Sequence, residues 1–208
     1  IRLAAVRPAL PVVASFTAPF TQRYPNVRFT VLSRNSDDLL SLLQHRDIDV
    51  GVTYLDNEPV GDVVQVPLYR ERHLLLTTKT GPFGDAKAVA WEQLSALPLC
   101  LFTQDLQHRR IVDAALRIAG IEVTPTIETD SIIALTSHVR SGAFVSVVPC
   151  SIVAALDMTG PLRAVPVVEP DISHTIGLVV SERYPVQPAV TNLLRQAPQM
   201  ITGMARLA

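Results

Sequence analysis

The stretch Asp47-Ile-Asp-Val-Gly-Val-Thr-Tyr-Leu-Asp-Asn-Glu-Pro59, followed by Val66-Pro-Leu-Tyr-Arg-Glu-Arg-His-Leu-Leu-Leu-Thr77, decides how this 208-residue chain is read. A short apolar strand ends in a polar loop, and a long apolar run with charges set into it then begins. A run of that length suits a strand that passes from one subdomain into another.

Working outward, strand-like and helix-like segments alternate. Ile1 to Val6 reads as a strand, and Leu10, Val13, Ala14, Phe20 and Tyr24 share one helical face. Pro8 and Pro11 suit the entrance of that helix, whereas Pro19 is expected to kink or divide it. Val27 to Leu32 reads as a second strand. Ser36 is the expected N-cap of the next helix, with Asp37 and Asp38 in its first turn, where the helix dipole favours acidic groups. Leu39, Leu40, Leu42 and Leu43 form its buried stripe, His45 and Arg46 close it, and Ile48 to Val52 is a third strand.

The middle of the chain repeats the alternation. Leu97 to Phe102 is strand-like. Gln107 to Ala119 reads as a helix with Ile111, Val112, Ala115 and Ile118 inward, stopped by Gly120. Val123 to Glu128 is a strand, Ser131 to Arg140 a helix ending at Gly142, and Val145 to Val148 a strand broken by Pro149. Ile172 to Val180 is a long apolar run, and Pro188 to Arg206 a terminal helix. Strands alternating with helices imply parallel sheets covered on both faces. Two long strands, Val63 to Thr78 and Ile172 to Val180, bracket the middle block. The expected architecture is α/β: two Rossmann-like subdomains joined by two crossing strands. Subdomain I comprises 1–71 and 175–208, and subdomain II comprises 72–174, inserted in the first. Gly81-Pro-Phe-Gly84 is the expected surface loop beyond the first crossing.

Composition sets bounds. Apolar residues make up 48% of the chain and charged residues 18%, which suits a well-filled core rather than a disordered segment. No apolar run approaches the roughly 18 to 20 residues needed to span a bilayer. No basic start followed by an apolar stretch marks an export signal, so a cytoplasmic address with no membrane partner is expected. The abrupt, strand-like start reads as that of an excised fragment. With 18 basic and 19 acidic residues the net charge is −1, without the basic excess that gripping duplex DNA requires. Cys100 and Cys150 make no disulfide framework. They read as a pair of buried thiols, or alternatively as a redox pair in which Cys150 opens a helix whose dipole lowers the thiol pKa.

Catalysis needs a nucleophile with a base, a metal cluster or a cofactor loop. The chain has no G-x-S-x-G elbow, G-x-G-x-x-G, P-loop or H-E-x-x-H. Its histidines, at positions 45, 73, 108, 138 and 174, lack metal-ligand spacing. The expectation is a non-enzyme with no cofactor and no metal.

Several marks, in this order and at these spacings, carry a resemblance: Tyr24-Pro-Asn-Val27, Asp37-Asp-Leu-Leu-Ser-Leu-Leu43, Asp47-Ile-Asp-Val-Gly51, Pro67-Leu-Tyr-Arg-Glu-Arg72, and Arg140-Ser-Gly142 leading to Val148-Pro149. Over essentially its whole length the chain resembles the effector-binding domain of LysR-type transcriptional regulators. That resemblance implies a type 2 periplasmic-binding-protein-like fold with a small-molecule effector in the cleft between subdomains. It also implies a homodimer or homotetramer in which the Leu10 to Tyr24 helix packs on the partner's Gln107 to Ala119 helix. DNA contact would be made only through an N-terminal winged helix-turn-helix absent from this chain. Two departures fall beside the expected cleft. Phe144 stands where the family often has a second glycine, and Arg34 with Asn35 stands where many members have a small or acidic pair.

In open parallel sheets, ligands bind beyond the carboxyl ends of strands, where helix N-termini point N–H groups at anions. The corresponding turns supply Arg7, Pro8, Ala9, Arg34, Thr53, Tyr54, Phe102, Thr103, Gln104, Ser131 and Pro149 as candidate ligand-binding residues. The resemblance singles out Ala9, Thr53, Thr103 and Gln104. The guanidinium forks of Arg7 and Arg34 match a carboxylate, the alternative being surface arginines. Thr53 and Thr103 either meet the effector or cap local turns. Tyr69 and Glu71 either line the back of the cleft or pair with each other. The expected function is a sensor for a small anionic effector, and the alternative is a solute-binding protein for transport.

Overall fold

The computed structural model describes residues 1–201 and divides the chain into two compact α/β units: Ile1–Glu71 with the chain from His174 onward, and Arg72–Ser173. The first unit opens with β1 (Arg2–Val6), a 3-10 turn at Arg7–Ala9, α1 (Leu10–Arg23), β2 (Thr30–Arg34), α2 (Ser36–Gln44), β3 (Val50–Tyr54) and the first half of β4 (Val63–Thr78). In the second unit β4 continues into β5 (Val89–Ala90), a 3-10 turn at Trp91–Ala96, β6 (Cys100–Phe102), α3 (Gln107–Ile118), β7 (Ile127–Thr129), α4 (Ile132–Arg140), β8 (Ser146–Pro149), α5 (Cys150–Ala155) and β9 (Leu162–Val168). Strand β10 (Ser173–Ser181) and helix α6 (Pro188–Met200) then return to the first unit.

In the first unit the strand order is β2-β1-β3-β10-β4. β1 runs parallel to both β2 and β3, with Val6 level with Arg34 and Ala5 level with Val52, and β10 is antiparallel to β3. Val50, Val52 and Tyr54 are buried together with Gly51 and Thr53, as a strand covered on both faces must be. Gly51 lets α2 and β10 pack close: a Cβ there would stand 2.5 Å from Leu39 Cδ2 and 2.8 Å from Val179 Cγ2. Helix α6 packs on α1, where Gln196 Nε2 donates to Tyr24 Oη at 2.9 Å.

In the second unit β4 pairs antiparallel with β8 and β9, β5 is parallel to β9, and β6 and β7 form a parallel pair. A bridge from Leu99 to Val145 links the approach to β6 with that to β8. Two apolar clusters fill this unit. One is built on Leu75, Trp91, Leu101, Val112 and Val165, and the other on Leu76, Phe102, Leu135, Val139 and Ile152.

Several local expectations are corrected. The N-cap of α2 is Asn35, whose side chain accepts from Asp38 N at 2.8 Å, and Ser36 is the first helical residue. Asn35 lies three residues before Asp38, the spacing a capping side chain needs. Helix α1 is continuous through Pro19 and buries Val12, Val13, Phe16 and Phe20, leaving Ala14 exposed. Ile118 is 70% exposed because the inward face of α3 is already filled by Ile111, Val112, Ala115 and Leu116. β2 begins at Thr30 rather than Val27, and β7 covers only Ile127–Thr129. The last residues of the expected terminal helix, beyond Ile201, lie outside the described residues.

Candidate functional site

The parallel register of β1, β2 and β3 sets their carboxyl ends on one edge of the first unit. Arg7, Pro8 and Ala9 form the 3-10 turn that carries β1 into α1, with Pro8 and Ala9 buried and Arg7 half-buried. Val6 and Arg34 being level places the two arginines within a residue of each other along neighbouring strands. Arg34 folds back on its own strand end, Nη1 donating to Ser33 O at 2.7 Å. Thr53 and Tyr54 close β3 and are buried. Tyr69 Oη donates to Glu71 Oε2 at 2.9 Å, so these two pair along β4, two residues apart on one face.

In the second unit the register pairs Phe102 with Thr129, and Thr103 N donates to Thr129 O at 3.2 Å. Those two strand ends therefore present a cluster of hydroxyls. Thr129 Oγ1 accepts from Ser131 N at 3.1 Å, and Ser131 Oγ caps α4 by accepting from Ala134 N at 3.3 Å. Thr103 Oγ1 differs from its neighbours. It is buried and has no hydrogen-bond partner among the described residues. Gln104 is exposed and lines a groove of about 340 Å³ along α3, with Arg109, Asp113 and Arg117. Pro149 is buried at the end of β8 as the N-cap of α5.

Arg109 is a residue that sequence reasoning missed. Only 3% exposed, it donates from Nε to Asp113 Oδ1 at 2.8 Å and from Nη1 to Phe102 O at 2.7 Å and to Glu128. Burial alone would lower the pKa of this guanidinium, but Asp113 and Glu128 outweigh it and hold the pKa above its usual value. One side chain thus fixes the end of β6, the edge of β7 and helix α3 around Thr103. The Arg109 to Asp113 spacing was a signal for the helical pair, since residues four apart meet on a helix. Glu128 and Phe102 offered none.

Also missed was the network around Asp56 in the first unit. Its carboxylate accepts from Thr175 N at 2.8 Å and from Arg70 Nη1 at 3.3 Å, and lies 3.2 Å from His174 Nδ1. Partial burial pushes the Asp56 pKa up, but the Thr175 hydrogen bonds and the His174 contact pull harder, and it lies below the ordinary value. Both cysteines are buried, and burial raises the Cys100 thiol pKa. Among the described residues no three His, Cys, Asp or Glu side chains group to hold a metal, and no helix is long and apolar enough to cross a membrane.

Comparison with known proteins adds identity to this geometry. Residues 1–200 match the family described as the LysR substrate binding domain. A probable nitrogen assimilation transcriptional activator of Synechococcus elongatus is 29% identical over 190 residues, covering 88% of this chain and 60% of the relative. The chain therefore spans about three fifths of that relative's length. Among solved structures, the Synechocystis PCC6803 CcmR regulatory domain in complex with 2-PG superposes with a TM-score of 0.87 at 15% identity, over 98% of each chain. The effector-binding domain of QuiR in complex with shikimate does so with a TM-score of 0.81 at 15% identity, over 98% of this chain and 97% of the other. Both likenesses concern the fold.

Proposed function

Since the chain belongs to the LysR substrate-binding-domain family, we propose that it is the sensing part of a transcriptional regulator and that its effector is a small anion recognised by the strand-end turns. The observation that carries this reading is the buried Thr103 hydroxyl without a hydrogen-bond partner among the described residues. A buried hydroxyl left unpaired is costly, by about 1–3 kcal/mol, and a ligand oxygen at that turn would satisfy it. Within the first unit, Arg7 and Arg34 stand at the ends of neighbouring strands, where their guanidinium groups offer charge to an anion. The bound shikimate of QuiR is a carboxylate, of the chemical class this arrangement fits.

The effector acts by population shift. It can move an equilibrium between conformations only by the difference in its affinity for them. In a cytoplasmic parent protein, assembled as a homodimer or homotetramer by packing of α1 on the partner's α3, that shift would reach a winged helix-turn-helix and alter DNA contact. The Synechococcus elongatus relative is named as a probable transcriptional activator, which favours this role over solute binding for transport. The family is one of regulators rather than enzymes, and no turnover is expected.

A thermal-shift screen of small carboxylates, phosphorylated acids and inorganic anions tests the proposal. A compound that binds only the folded chain raises its melting temperature with concentration. One anionic class is expected to do so. A flat response across all three classes contradicts the reading.

A further inference from the structure

Asp56 lies two residues beyond Tyr54, in the loop that leaves β3, and its carboxylate gathers donors from two other strands. Oδ2 accepts from Thr175 N on β10 at 2.8 Å and from Arg70 Nη1 on β4 at 3.3 Å. Oδ1 lies 3.2 Å from His174 Nδ1. Arg70 Nη1 also reaches Thr175 Oγ1 at 3.2 Å, and Leu55 N donates to Thr175 O at 2.9 Å. The His174 ring in turn meets Tyr54 edge-on, with centroids 6.2 Å apart and planes at 88°.

The placement of these donors is what matters. The chain leaves the first unit after Glu71 and re-enters it at His174. Arg70 is the last residue but one before the first crossing, and His174 and Thr175 are the first two after the second. One carboxylate therefore ties together both connecting strands, each at the point where it crosses the boundary, and it does so from the loop directly following Thr53 and Tyr54.

We propose that Asp56 is a coupling residue, which clasps the turn carrying Thr53 and Tyr54 to β4 and β10 so that occupation of that turn is felt in the two strands joining the units. The inference rests on reading that turn as part of the effector site. Asp56 is a positioning residue and does not itself touch the effector. The clasp is not a major source of stability. The side chains of Arg70 and Asp56 are 58% and 35% exposed, and ion pairs of that exposure contribute little. Its effect is local order. A carboxylate that accepts several charge-assisted or backbone donors fixes direction, and its loss opens a segment without unfolding the whole.

Hydrogen exchange on the unliganded chain, comparing wild type with Asp56→Ala and Asp56→Asn, is the first arm. In Asp56→Ala the amides of residues 54–56, 69–73 and 173–176 are expected to exchange about tenfold faster, with those of α1 and β2 unchanged. Asp56→Asn keeps an acceptor for Thr175 N and is expected to recover the greater part of the protection. Acceleration limited to the Thr175 amide, or spread evenly through the first unit, overturns the clasp. The second arm adds shikimate or inorganic phosphate. A probe that slows exchange at 52–54 should also slow 69–73 and 173–176 in wild type, and should act only at 52–54 in Asp56→Ala. Equal spread in both proteins overturns the coupling. Failure of both probes to bind wild type counts against the effector reading of the turn, and the first arm still decides whether the clasp exists.

Discussion

The guanidinium carbon of Arg46 stands 4.7 Å from the centre of the Tyr184 ring, while the Arg46 backbone is held at a φ of 62°. Arg46 occupies the position after the α2 C-cap, where Arg46 N donates to Leu43 O at 3.2 Å and Asp47 N to Leu42 O at 2.9 Å. Glycine is the usual residue in that left-handed place, and a side chain there costs about 1–2 kcal/mol. The ring contact offsets about 0.5–1 kcal/mol of that at an exposed site. Arg46→Ala, which keeps the backbone cost and loses the contact, is expected to destabilise by about 0.5–1 kcal/mol. Arg46→Gly should be more stable than Arg46→Ala by about 1 kcal/mol in urea unfolding, because it removes the backbone cost. Equal stability of the two variants would show that position 46 carries no backbone cost.

Gly51 has no room for a side chain, with Leu39 Cδ2 at 2.5 Å and Val179 Cγ2 at 2.8 Å from where a Cβ would stand. Leu39 and Val179 are both fully buried, so neither can withdraw into solvent. Gly51→Val is expected to destabilise by about 1–3 kcal/mol through overpacking, read as a lowered urea midpoint. Gly160, with open space around it and no left-handed backbone, is the control: Gly160→Ala should be nearly neutral.

Arg109 donates to three acceptors on three elements, and a lysine cannot reproduce that fork. Asp113 and Glu128 are 31% and 46% exposed and would be rehydrated once the arginine is gone. The lasting loss is the donor to Phe102 O, so Arg109→Leu is expected to destabilise by about 1–3 kcal/mol. Arg109→Lys should recover less than half of this. Full recovery by lysine, measured by chemical denaturation, would show that charge alone matters.

Asp56 gives the chain a pH dependence of known sign. Its folded pKa lies below the ordinary Asp value of about 3.9, so its contribution is fully present above that value and is lost as pH falls through the folded one. Melting temperatures followed downward from pH 5 should fall more steeply for wild type than for Asp56→Asn, with the two curves parallel above about pH 5. Parallel curves throughout the acid range would remove Asp56 from the account.

What the sequence made legible follows from periodicity. The alternation of strands and helices, and the long apolar runs that became β4 and β10, are one-dimensional patterns, and they were enough for the α/β class. Boundaries set by single hydrogen bonds were not readable. Both Asn35 and Ser36 are good capping residues, and only the geometry of Asp38 N decides between them. Ile118 fits the apolar spacing of α3, but four inward residues already complete that face. The candidate turns could be read as strand ends. The pairing of Phe102 with Thr129, which sets Thr103 beside the Ser131 cap, joins segments more than twenty residues apart and left no local trace. Arg109 and Asp56 escaped notice for the same reason, since partners on other elements define their roles.

Isothermal titration calorimetry of the most stabilising anion from the screen, run on wild type and on Thr103→Trp, tests the central claim most directly. A chain that senses an anion through the turn after β6 should bind it in wild type and lose affinity by about tenfold or more in Thr103→Trp, with the variant's melting temperature within a few degrees of the parent's. Undiminished affinity in a folded Thr103→Trp protein would contradict the account.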